Sequence, residues 1–201
     1  MNMNLDNLLA QWDSNVGKPF KGSLIDMDAH KVDPGNPGCM CAQGQVLHYM
    51  GGYTADELAE LEQVKADKAT AKLLGISRTH AVLLRNINDS SDGAPSVVLT
   101  HPERIIGDQA ATILAFWHHI DRMTGEQWSQ AHAATAAAGY AAGYAARDAA
   151  RDAARETARV AAWDAAGYAT MEIMGANVMR AKGQSFFFLP MFGFEGPEDI
   201  K

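Results

Sequence analysis

The sequence predicts a mainly α protein: a small helical head over residues 1–125, a long alanine-rich helix over 126–182 and an apolar tail over 183–201. Three observations carry this reading. Apolar residues in the first 125 positions recur at helical spacing between caps and breakers. Alanine then recurs every fourth residue from Ala133 to Ala169, except at Thr157, and a run of large apolar residues, Phe186 to Phe194, follows Gly183.

The head divides into short helices. Leu5, Leu8, Leu9 and Trp12 share one face of a first helix. Residues 17–38 hold four glycines and three prolines and are expected to form turns, with a brief strand around Ser23 to Met27. The run from Cys39 to Met50 reads as a helix stopped by Gly51 and Gly52. Thr54 and Glu57 make a capping box that opens a helix through about Val64. Asp67 to Leu74 is helical, Gly75 breaks it, and Ser77 caps the next helix through Asn86. Asn88 to Pro95 is a loop, Ser96 to Thr100 an extended piece, and Pro102 the first position of a short turn. Asp108 caps a helix that ends before Thr124 and Gly125, with apolar residues at 110, 113, 114, 117 and 120.

From Gln130 to Lys182 the expectation is one long helix. Four residues advance about 400°, so the alanine stripe drifts by about 40° per repeat and winds once around the axis. Roughly 50 residues would span about 75 Å, more than the head can cover. Such a helix must project, fold back as a hairpin, or meet another chain; Gly139, Gly143 and Gly167 are its bend points. Asp148/Arg151, Asp152/Arg155 and Glu156/Arg159 place acid before base at i, i+3, a few tenths of a kcal/mol each. Ice binding is the other use of alanine-rich helices, but it needs threonine every eleven residues, and Ala146 and Tyr168 occupy two of the slots set by Thr135 and Thr157.

The tail is too apolar to remain in water, and Pro190 forbids a simple helix. It must dock on its own chain or on a neighbour, the latter giving an exchanged oligomer. Tyr140, Tyr144, Trp163 and Tyr168, with Phe186, Phe187, Phe188, Phe192 and Phe194, are the partner-binding candidates.

Composition narrows the function. A net charge of -7 argues against nonspecific binding to nucleic acid, which needs a positive surface. No stretch approaches a membrane span and the start is unlike a signal peptide, so a cytoplasmic protein is expected, without a membrane partner. Cys39 and Cys41 are too close to pair and are expected to be reduced.

Two constellations could carry chemistry or recognition. Cys41 with His48 offers a thiol nucleophile and a base, and with Cys39 a zinc set. In a helix, however, Cys41 and His48 lie about 10 Å apart along the axis, so His30, His80 or His101 would have to be brought in by folding, and buried structural thiols are expected instead. No cofactor or metal is expected. Residues 69–86 have the small residue, turn glycine and capped second helix of a helix-turn-helix, in which Ser77, Arg78, Thr79, His80 and Arg85 would face DNA.

The segments CAQGQVLH (41–48), LLGIS followed by NIND, AARDAARDAA with AAWDAAGYA, and RAKGQSFFFLPMFGF resemble an uncharacterised group of proteins of actinobacterial phages and their hosts. The resemblance spans most of the chain and implies a phage or actinobacterial setting, with no site residues. The resulting expectation is a phage-encoded, non-enzymatic interaction or assembly protein, virion-associated or host-targeting and acting in the host cytoplasm, whose partner is itself as a homo-oligomer or a host or virion protein. A helix-turn-helix regulator and a cysteine hydrolase or transferase using Cys41 are the alternatives.

Overall fold

The computed structural model describes residues 3–14, 17–142 and 165–201, with side chains described outside 135–142. The protein is mainly helical; among the described residues the only β pairing is a single antiparallel bridge between Ile25 and Met40. No helix among them is long and apolar enough to cross a membrane. The chain forms two compact units, 1–107 and 108–201. The helix after Asp108, expected in the head, thus belongs with the C-terminal unit, because its inward side chains pack with the tail.

In the first unit, α1 (Leu5–Asp13) is capped by the Asn4 side chain and buries Leu8 and Trp12. The glycine- and proline-rich stretch holds α2 (Met27–Val32), which the composition concealed: Asp26 caps it, accepting from the amides of Asp28 and Ala29. The strand expected here is reduced to the bridge at Ile25. The helix expected from Cys39 starts later. Pro37–Cys39 is a 3-10 turn, Met40 is extended, Cys41 is the N-cap, and α3 spans Ala42–Tyr49.

Helix α3 is the centre of this unit, with every residue from Ala42 to Leu47 buried. Leu47 joins a cluster with Leu24, Ile25, Met40, Leu58 and Ala66, while Ala42 and Val46 join Leu8, Trp12, Leu84 and Val98. Gly44 makes this close approach possible, since a Cβ there would sit 2.0 Å from the Leu24 carbonyl oxygen.

Helix α4 (Ala55–Glu60) opens on the expected capping box, Thr54 N–H to Glu57 at 2.8 Å and Glu57 N–H to Thr54 Oγ1 at 3.3 Å. It stops sooner than expected, at extended Leu61 and Glu62, and α5 (Gln63–Leu74) follows, ending at left-handed Gly75. Ser77 then caps α6 (Arg78–Ser90), which runs past Asn86. Two single-turn helices, α7 (Val97–Thr100) and α8 (Glu103–Ile106), close the unit; the first replaces the extended piece expected there.

In the second unit, α9 spans Ala110–Arg122 with Gln109 at its N-cap and no side-chain cap, so Asp108 does not play the role expected of it. Thr124 starts a helix instead of merely ending one. Its N–H donates to Gln127 Oε1 at 2.8 Å and the Gln127 N–H donates back to Thr124 Oγ1 at 3.2 Å, a reciprocal cap that opens α10 (Gly125–Ala142) five residues before Gln130.

Residues 143–164, with most of the repeat and its acid–base ladder, lie outside the described residues. After them come α11, described over 165–174, and α12 (Ala176–Ala181), separated at Gly175, so the expected helix is interrupted before Lys182. Gly139 and Gly167 lie within helix and are not the break; Gly143 is outside the described residues. Gly183, in the left-handed region at φ 64°, turns the chain into the tail, which carries 3-10 turns at Leu189–Phe192 and Pro197–Asp199.

Candidate functional site

The tail docks on its own chain. Phe192 is buried and meets Phe116 of α9 edge-to-face at 5.4 Å, with Trp128 of α10 at 6.4 Å. Phe194 reaches Phe116 at 6.2 Å and His119 at 4.8 Å. Leu189 is fully buried. These side chains satisfy within one chain the second half of the apolar run, while Phe187 before it stays exposed.

Glu172 on α11 holds the start of the tail. Its carboxylate accepts from the amides of Phe187 (2.7 Å), Phe188 (3.0 and 3.1 Å) and Leu189 (3.0 Å) and is itself buried. Nothing in the local sequence distinguishes this residue from any other charge on a helix. The Tyr168 ring stacks on Phe188 at 4.9 Å, Phe187 lies edge-on to Phe188 at 5.1 Å, and the Arg180 guanidinium lies over Phe186 at 5.7 Å while pairing with Glu198.

Helices α11 and α12 are inverted in size. Their inward face is Ala165, Ala166, Ala169, Ile173 and Ala176, all at most 3% exposed. The outward face carries Tyr168, Met171, Met174 and Val178, and Phe187 of the tail is also exposed, each at 51–64%. Trp117 Nε1 of α9 donates to Thr170 Oγ1 of α11 at 3.2 Å, tying the two helices. The larger side chains, whose burial would release more free energy, face out.

The predicted partner-binding residues therefore separate. Phe192 serves the interior of the unit, Phe186, Phe188 and Phe194 are half-buried, and Tyr168 and Phe187 remain outward. Tyr144 and Trp163 lie outside the described residues, and Tyr140 is placed only by its backbone in α10. Met171, Met174 and Val178 were missed, although their spacing after Tyr168 carried the signal.

A cleft of about 330 Å³ opens between α9, α10 and the tail, lined by His119, Met123, Gln127, Gln130 and Phe192 among others. Burial, with Arg122 adding to it, holds the His119 imidazole below its ordinary value.

In the first unit the thiols are enclosed. Cys41 Sγ accepts from the Gly44 amide at 3.4 Å as the α3 cap, and burial pushes its pKa up to about 11. His48 faces elsewhere, donating from Nδ1 to the Tyr53 carbonyl at 2.6 Å, so the Cys41–His48 pairing does not form. Folding brings His30 to Cys39 instead, Nδ1 to Sγ at 3.6 Å. Burial raises the Cys39 thiol, offset in part by its own backbone amide, with Asp26 and Asp33 adding to the rise. A protonated, 1% exposed thiol is poorly arranged for attack. No cluster of three metal-ligating side chains occurs among the described residues.

The helix-turn-helix candidates also separate. The hydroxyl of Ser77 caps α6, accepting from the His80 amide at 3.1 Å, and the buried His80 ring donates from Nε2 to the Val98 carbonyl at 2.9 Å. Arg85 Nε lies 3.3 Å from the buried Asp67 carboxylate. Arg78 and Thr79 are half-buried at the start of α6, so the five residues do not form one outward row.

No protein-family model matches the chain, and no curated protein and no solved structure is significantly similar to it.

Proposed function

We propose that the protein is a non-enzymatic interaction or assembly protein working through the outward face of α11 and α12 with Phe187, its partner being a second copy of the chain. The observation that carries this is the size inversion: Ala165, Ala166, Ala169 and Ala176 inward with Ile173 as the one large aliphatic residue among them, and Tyr168, Met171, Met174 and Val178 outward. A contiguous exposed apolar face rimmed by polar residues is a feature of interaction surfaces, and methionines suit one because they repack readily. The resemblance to proteins of actinobacterial phages supports a phage-encoded role in the host cytoplasm, virion-associated or host-targeting, in which a host or virion protein would be the alternative partner.

Light scattering of the full chain over a wide concentration range tests the reading. Wild type should exceed monomer mass at high concentration, and Met171→Glu with Val178→Glu should return it to monomer. A compact wild-type monomer at every concentration would sink self-association.

A further inference from the structure

We infer that the C-terminal tail is a strap held shut by the charge on Glu172, which thereby acts as a positioning residue for the outward face. The consecutive amides of Phe187, Phe188 and Leu189 converge on one carboxylate at 2.7–3.1 Å, the geometry of a backbone anion nest. The carboxylate is buried, and among the described residues no basic side chain forms an ion pair with it. Backbone dipoles of the tail are thus its main compensation, and hydrogen bonds to an ionised acceptor are the strong kind.

The strap has a hinge and a consequence. Residues 181–185 are exposed and Gly183 provides the left-handed turn that sends the chain back along α11. Closure stacks Phe188 on Tyr168 and sets Phe187 beside it, extending the helical face of Met171, Met174 and Val178 with a ring from the tail. Opening removes Phe187 from that face and bares Phe116.

Chymotrypsin cleavage after Phe186, Phe187 and Phe188 reads the strap directly in dilute full-length protein. Glu172→Gln keeps the shape but turns one acceptor into a donor facing the amides, and should speed cleavage there at least about tenfold, with cleavage in residues 1–107 unchanged. In Glu172→Ala, formate should refill the nest and restore protection where chloride does not. Wild-type resistance in Glu172→Gln, or no rescue by formate, would overturn the inference. Hydrogen exchange of the unmodified protein is the measurement that needs no variant: the amides of residues 187–189 should exchange together and more slowly than that of exposed Ser185, and free exchange at all three would equally overturn it. The role given to the face rests on the proposed function, but protection in dilute protein reads the strap alone and light scattering reads association, so the two can fail separately.

Discussion

The amide of Gln43 and the carboxylate of Asp67 meet at 2.9 Å in the interior of the first unit, joining α3 to α5. The same Gln43 nitrogen donates to the Ala81 carbonyl of α6 at 2.9 Å, and Gln63 bonds both Gln43 Oε1 and Asp67 Oδ1. Arg85 supplies the countercharge from α6. One buried carboxylate therefore holds three helices in register, and its cost of desolvation is met by donors drawn from all three.

Asp67→Ala should then cost about 3 kcal/mol, because it strands two amides and a partly buried guanidinium. Arg85→Glu should be comparably harmful, since it sets a second carboxylate against Asp67. This bears on the DNA-binding alternative, in which Arg85 faces DNA and the fold does not depend on it. Urea unfolding of both variants checks it, and wild-type stability in either would remove the network from the account of the fold.

Cys41 makes a pH prediction whose sign follows from proton binding. Burial, offset only in part by the Gly44 amide, raises its thiol from 9.0 to about 11. Below about pH 9 the folded and unfolded chains both keep the proton and this group adds no pH dependence. Between about pH 9 and 11 the unfolded thiol ionises while the folded one does not, so the folded state binds more protons and stability falls, by about 3 kcal/mol in total. Cys41→Ser, whose hydroxyl can also cap α3, should lack that part of the alkaline loss. Denaturant midpoints measured from pH 8 to 11 decide it, and parallel curves for the two proteins would show that the thiol is not held as described. Native protein near pH 8 should also resist thiol alkylation at both cysteines until it is unfolded.

Features set by neighbouring residues were legible in the sequence, and features set by distant ones were not. Thr54 with Glu57, Ser77 and Gly75 act where local spacing put them, because a cap is satisfied within three residues. Thr124 and Gly125 carry the same kind of signal, which is ambiguous in sequence because the pair also ends the preceding helix. Helix α2 was hidden because Asp26 caps it amid glycines and prolines whose turn signals dominate. Buried Gln43 and Gln45 look like surface residues until their partners arrive from far along the chain. Gln45 accepts from the Trp12 indole at 2.9 Å and donates to the Gly17 and Pro37 carbonyls, spans of 33, 28 and 8 residues. The Cys39–His30 contact depends likewise on the bridge that draws Met40 to Ile25. The tail's need to dock was legible from composition. Its receptor was not, since Glu172 differs from any helical glutamate only in what the tail brings to it.

The inverted helix carries its own internal control, one large buried residue beside large exposed ones. Ile173 is fully buried, so Ile173→Ala should cost about 3 kcal/mol, the transfer free energy of the lost carbons plus the cavity left behind. Met171 and Val178 are 64% and 58% exposed, and truncating either to alanine in dilute protein should change stability by no more than about 0.5 kcal/mol. If the outward face binds a second copy, wild-type thermal stability rises with protein concentration, because association favours the folded chain by mass action. The Met171→Ala protein should lose that rise while matching wild type at the lowest concentration. Thermal unfolding across a concentration series separates the cases. Loss of stability at every concentration would mean that Met171 packs within the chain, and a concentration-independent wild type would remove the pairing of two copies.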